Sequence, residues 1–287
     1  MTKGTTTRDS GLQASGRGGA LALGRSRRAS GQAAGLWLVL AALGVTAAAR
    51  AQDLAGAARW ADSARTAIEA ARIRSDTTGL AEALALVERA LTAFPGDALL
   101  LHYRGYALYR LATTRSARND AAEVGQMLED AQTALEESSR RLQLPETYAL
   151  LSGVMGQRIG RNPLRAITLG RQAGQAMDRA IELGPNDPRV WLLRGIGAIF
   201  SPAMFGGGLE RAEEYLRRAI DLYPADRPAR PNPAWGHDEA YTWMGIVHQR
   251  RKRPEEARAA FERALAIEPE NGWVRYNLLP SVSREPR

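Results

Sequence analysis

The chain has no cysteine, which excludes disulfides, thiolate metal sites, a cysteine nucleophile and a lipid-modified N-terminal cysteine. Histidine is almost as scarce: His102, His237 and His248 are the only three, and no two stand at a metal-ligand spacing such as HExxH, so no metal site is expected. No stretch alternates apolar and polar residues with period two over a useful length, which argues against a sheet protein. There is no GxSxG elbow, P-loop or dinucleotide fingerprint. Gly206-Gly207-Gly208 resembles a phosphate cradle only superficially, since it lacks a preceding strand and a following Lys-Ser/Thr. Acid pairs such as Glu136-Glu137, Glu213-Glu214 and Glu255-Glu256 fall on polar helix faces and read as solvated charge. These absences predict a protein that is not an enzyme and needs no cofactor.

An excess of one charge is also missing from most of the chain. The formal net charge is +8, but residues 1–51 hold seven basic side chains against a single acid, Asp9. The remaining 236 residues carry 32 basic and 30 acidic side chains. A body this balanced offers no phosphate-binding surface, and no nucleic-acid partner is expected. Arg250, Arg251, Lys252 and Arg253 form a local cationic run at a predicted helix C-terminus, where they suit the negative end of the helix dipole.

What is present begins with a leader. Arg25, Arg27 and Arg28 precede an apolar run, Gly35 to Val45, of 11 residues, and Ala49-Arg50-Ala51 fits a small-x-small cleavage pattern. The run is short for a spanning helix of roughly 20 residues. Residues 1–51 therefore read as a leader with a secretory signal. This predicts an exported protein, periplasmic or extracellular, with an uncleaved inner-membrane signal anchor as the alternative. Any membrane contact would pass through that segment.

Residues 52–287 repeat themselves. Glu88-Arg89-Ala90-Leu91 leads to Pro95-Gly-Asp, Asp178-Arg179-Ala180-Ile181 to Pro185-Asn-Asp, Arg217-Arg218-Ala219-Ile220 to Pro224-Ala-Asp, and Glu262-Arg263-Ala264-Leu265 to Pro269-Glu-Asn. In each, a proline stops an amphipathic helix and an Asp or Asn beyond it can cap the next. A degenerate fifth copy lies around Ala131 and Ala134, ending near Pro145. Residues 238–271 are the clearest copy, with Tyr241, Met244-Gly245, His248, Ala257, Phe261, Ala264 and Pro269. Gly245 and Ala257 are small where two helices would cross, and Tyr241 and Phe261 fill the space around the crossing. The copy beginning near Pro188 is stretched by five residues within Ser201 to Gly208, and the pairs Gly153/Ala173 and Gly105/Met127 suggest longer intervals still. The whole reads as about five helix pairs from Asp53 to Pro269, then a capping helix through Trp273, Tyr276 and Leu278.

This pattern resembles the tetratricopeptide repeat. The resemblance implies an all-α, right-handed helix-turn-helix solenoid with elongated turns, and a scaffold or adaptor that holds a protein or peptide partner in its concave groove. In that family the first helix of each pair lines the groove. The implied lining here is His102, Tyr106, Tyr109 and Arg110 from one repeat, and Arg189, Leu192 and Ile196 from another, with plain inter-helix packing as the competing role. The Lys/Asn set of the family's carboxylate-clamp subclass is missing. Met204 and Phe205, in the long turn, either pack over the adjacent core or form a recognition loop. The alternative function is a small-molecule-binding accessory of the cell envelope that uses the groove and the 201–208 turn.

Overall fold

The computed structural model describes residues 30–116 and 121–283. Arg25, Arg27 and Arg28 lie outside the described residues, as do the side chains of the apolar run 35–45. The chain divides into two units, Met1–Arg50 and Ala51–Arg287. The first contributes only helical backbone from Ser30 onward. None of the described helices is long and apolar enough to cross a membrane.

Every regular element among the described residues is helical. Five pairs follow one another in the second unit: α1 (Ser30–Ile73, described in full from Gln52) with α2 (Thr77–Ala93), α3 (Ala98–Ser116) with α4 (Ala121–Arg141), α5 (Pro145–Arg161) with α6 (Ala166–Leu183), α7 (Pro188–Phe200) with α8 (Leu209–Leu222), and α9 (His237–Arg250) with α10 (Pro254–Ile267). A π-helical turn, Val274–Leu278, and the short α11 (Leu279–Ser283) end the array. The stop-and-cap signals work as their chemistry dictates. Asp97 accepts from the amides of Leu99 and Leu100 at 3.1 and 2.9 Å, and Asp187 accepts from Arg189 at 2.8 Å. Asn271 accepts from Val274 at 3.1 Å. Asp226 departs from the pattern: the next helix starts only at His237, and Asp226 instead binds the Arg189 guanidinium. Pro145 opens α5 rather than closing α4, where its missing N–H costs nothing.

The helix crossings are set by glycine. A Cβ on Gly195 would lie 2.7 Å from Leu216, and one on Gly245 would strike the Phe261 ring. At Gly105 the opposing residues are Leu135 and Ala131, so the crossing of α3 and α4 falls one helical turn later than the interval to Met127 suggested. Gly153 is not at the crossing with Ala173. It faces the inner side, with Tyr109 and Leu193 as its neighbours at 3.7–3.8 Å from a built Cβ. α6 buries only Leu169 and Ala180, and α5 packs directly on α7.

The array closes on itself within this unit. Arg72 on α1 binds both carboxylate oxygens of Asp238 on α9 at 3.0–3.1 Å. Arg230 reaches Asp62 at 3.1 Å. Gly272 lies against the Arg74 carbonyl, where a Cβ would stand 3.3 Å away. Along this closure the core is continuous from Ala61 to Ala260, and a second cluster of Ile246, Ala257, Phe261, Ala264 and Val274 holds the last repeat to the C-terminal turn.

Candidate functional site

The first helix of each pair faces inward, as the repeat pattern implies, but much of that inner face is packed. The proline-rich segment between α8 and α9 fills it. Tyr103 donates to the Pro231 carbonyl, and Tyr223 donates to the Trp235 carbonyl at 3.1 Å. Trp235, only 4% exposed, stacks on Tyr106 with centroids 5.1 Å apart and planes 19° from parallel. Gly236 has φ +99°, and a side chain there would meet Leu192 at 2.6 Å and the Tyr223 hydroxyl. Glycine is therefore required where the chain turns from this segment into α9.

Two ion networks hold the filled face. Arg110 lies over the rings of Tyr106 and Trp235 at 4.8 and 5.3 Å and binds the Glu239 carboxylate at 2.8 Å. Arg72 joins Glu69, Asp238 and Glu239 at 2.9–3.1 Å, and Asn271 donates to Asp238 at 2.9 Å. Burial opposes the charge on Arg110, but Glu239 and Tyr106 outweigh it, so its pKa is raised and it stays a cation. In the second network Arg189 binds Asp226 through two nitrogens at 2.7 and 2.9 Å and approaches Asp187 and Glu146 at 3.2 and 3.5 Å. Burial and the nearby Asp187 push the Glu146 carboxyl up to about 8, against the pull of Arg189. Burial, aided by Arg189, pushes His102 down to about 3. The neutral His102 ring shares a 2.8 Å hydrogen bond with Thr147.

The placements of the sequence-predicted site residues follow. His102, Tyr106, Tyr109, Arg189 and Leu192 are buried in the packed interior, and Ile196 is half-buried beside it. The structure brings them together through packing and ion pairing, not on an open groove wall. The physical reason is the cover: Trp235 stacks on Tyr106 and the Pro231 carbonyl takes the Tyr103 hydroxyl, so the segment between α8 and α9 lies over these side chains. Met204 and Phe205 are separate from this group. They sit in a 3₁₀ turn, 83% and 75% exposed, and do not pack over the core.

The inner face opens at the C-terminal ends of α7 and α9. There a cleft of about 420 Å³ is lined by Phe200, Trp243, Ile246, Gln249, Arg250, Trp273 and Leu278. Its rings form a row: Phe200 stands edge-on to Trp243 at 6.0 Å, and Trp243 edge-on to Trp273 at 5.7 Å. Trp243, Ile246 and Arg250 share one stripe of α9 by their three- and four-residue spacing, on the side away from the Gly245–Phe261 crossing. The Arg250 guanidinium lies over the Phe200 ring at 5.0 Å, with no carboxylate partner among the described residues. The neighbouring Arg251 and Arg253 are both held by Glu213, at 3.2 and 2.5 Å. The backbone explains that division. Arg253 N–H donates to His248 and Lys252 N–H to Gln249, a Schellman ending with Lys252 at φ +58° that turns Arg251 and Arg253 toward α8.

Phe200 is 62% exposed and Trp273 is 38% exposed, and Phe200 leads directly into the turn that carries Met204 and Phe205. Sequence reasoning passed over Phe200, Trp243 and Trp273. The available signal was Trp243, two residues beyond Tyr241 and so on a different side of the helix from that repeat position. Among the described residues, no group of three or more His, Asp or Glu side chains is placed to hold a metal ion. None of the residues in either ion network lines this cleft or the second one described, which lies between α1 and α2 around Ala67, Arg74 and Arg89.

Residues 238–271 match the tetratricopeptide repeat family. No curated protein matches the chain. The fold is similar to that of a thermophilic TPR protein of Thermus thermophilus, with 22% identity, 72% of this chain and 91% of that one covered, and a TM-score of 0.50. It is also similar to the HusA haemophore from Porphyromonas gingivalis, with 24% identity, 67% and 94% covered, and a TM-score of 0.55.

Proposed function

We propose that this chain, a helical solenoid that carries a tetratricopeptide repeat, is an exported, non-catalytic scaffold or adaptor that engages a protein partner through the open end of its inner face. The observation that carries the reading is the row Phe200, Trp243 and Trp273, continued in the chain by exposed Met204 and Phe205. Large apolar side chains gathered on a monomer's surface mark an interaction site, and aromatic and arginine side chains dominate the energy of such sites. The packed half of the face supports the non-catalytic reading. Its perturbed groups, Glu146 and His102, are buried beside Arg189 and Thr147, each with one side-chain polar atom left without a hydrogen-bond partner, and they line neither described cleft. The export assignment rests on the leader, with its arginines and the apolar run 35–45.

Photo-cross-linking in the native host tests this. A probe at Trp273 should give one dominant protein adduct that a probe at Ala259, exposed on α10, does not give. Equal adducts at both positions would count against the site. Fractionation of the host, with the N-terminus of the exported form read by mass spectrometry, tests the leader.

A second reading has one observation in its favour. The cleft is of ligand size and lined by three aromatic rings and a guanidinium. One fold neighbour is a haemophore, so the same architecture also serves a small-ligand carrier. A small-molecule adduct at Trp273, with no protein adduct, would favour that reading over the scaffold.

A further inference from the structure

In the packed half of the inner face, Tyr106 and Arg110 receive a segment that places an indole on the tyrosine and, four residues later, a carboxylate on the arginine: Trp235 stacks at 5.1 Å and Glu239 pairs at 2.8 Å. Arg110 also covers both rings. The open half repeats the receiving side of this arrangement. Phe200 and Trp243 supply the rings, with Trp273 from the segment after α10 edge-on to Trp243 at 5.7 Å, and Arg250 supplies the cation over Phe200; among the described residues no carboxylate pairs with it. Arg251 and Arg253 both turn to Glu213 and away from the cleft, so Arg250 is the charged group that lines it. Gln249, which also lines the cleft, donates to Ser281 on α11 at 3.0 Å.

Resting on the scaffold reading above, we propose that the cleft of Phe200, Trp243, Trp273 and Arg250 binds an extended acidic segment of a partner protein, one that presents an aromatic or branched aliphatic side chain with an Asp or Glu a few residues away. The apolar side chain enters between the rings, and the carboxylate takes the Arg250 guanidinium in a charge-assisted pair. A basic or polar segment would leave Arg250 desolvated without a counter-charge, which selects against it.

The test is selection of short random peptides displayed against the full chain, followed by titration of the enriched peptides using tryptophan fluorescence. The enriched peptides are expected to combine an aromatic, Leu or Ile with a nearby Asp or Glu. Their affinity should fall about tenfold in Arg250→Gln and recover largely in Arg250→Lys, while amidation of the peptide's acid should mimic the glutamine variant. Circular dichroism of Arg250→Gln, whose side chain is exposed, checks that the variant is folded. Enriched peptides that lack acids, or whose affinity ignores Arg250→Gln, would overturn the acidic class while leaving the scaffold reading standing. So would binding that emerges only in a chain ending at residue 283, since the occupant would then be the chain's own terminus. No enrichment over Phe200→Ala/Trp273→Ala, together with no protein adduct at Trp273, would overturn both.

Discussion

At its N-terminal end α9 meets Trp235, Tyr106 and Arg110; near its C-terminal end it carries Trp243 and Arg250, with Phe200 and Trp273 beside them. Both ends offer aromatic rings and an arginine from the inner helices. At the first, the chain's own segment covers the rings, and Glu239 neutralises Arg110. At the second, the rings stand in a cleft and the arginine has a ring beneath it only. The difference lies in the covering chain and not in the residue types. An aromatic–arginine surface in a helical repeat is therefore core or binding site according to what lies over it.

That contrast can be broken most forcefully at Glu239. Replacing it with Ala leaves Arg110 and Arg72 buried with one counter-charge fewer, and urea unfolding should register a loss of about 3–5 kcal/mol. Arg250→Gln should change stability by less than about 0.5 kcal/mol. Equal effects would mean that the two ends are alike. Glycines give the next largest contrast. Gly105→Ala drives a methyl into Leu135 in the packed half and should cost about 1–3 kcal/mol. Gly197→Ala, one turn before Phe200 with no atom within 4 Å of the new methyl, should gain roughly 0.5–1 kcal/mol by helix propensity.

A pH titration sharpens the same comparison. The folded protein holds Glu146 as the neutral acid up to about 8, chiefly through burial, so its stabilising contribution is full below the ordinary carboxylate value and is lost as pH rises toward 8. Between pH 6.5 and 8 the unfolding free energy of the wild type should therefore fall relative to Glu146→Gln, by at most about 1 kcal/mol per pH unit. His102 is common to both proteins, so its contribution, which rises with pH through the ordinary imidazole range, cancels in the comparison. A parallel pair of curves would show that Glu146 is ionised in the fold. The smallest expected effect on stability is that of Phe200→Ala, within about 0.5 kcal/mol despite the size of the ring, because the ring is 62% exposed.

The helices themselves were legible because their signals are local. Pro95-Gly-Asp97, Pro185-Asn-Asp187 and Pro269-Glu-Asn271 each combine a stop with a cap within a few residues, and Asp97, Asp187 and Asn271 all make the expected bond. The last repeat was legible to its boundaries, since the family match spans the same residues, 238–271. The closure was not legible. It rests on Arg72 and Asp238, 166 residues apart, and no local pattern announces that a charge on the first helix answers one on the ninth. For the same reason His102 and Tyr106 read as candidate groove lining: the periodicity tells which way a side chain points, not what arrives to cover it. The stretch in the 201–208 turn was readable from spacing, whereas the cleft beside it needed Phe200, Trp243 and Trp273 from three separate elements.

Hydroxyl-radical footprinting of the full chain, read residue by residue by mass spectrometry, tests the central contrast most directly. Phe200, Met204 and Phe205 should be oxidised rapidly and Trp273 readily, with Trp235 and Tyr106 strongly protected in the same sample. Oxidation of Trp235 as fast as Trp273 would contradict the account, because the inner face would then be open along its length and the covering segment would not be in place.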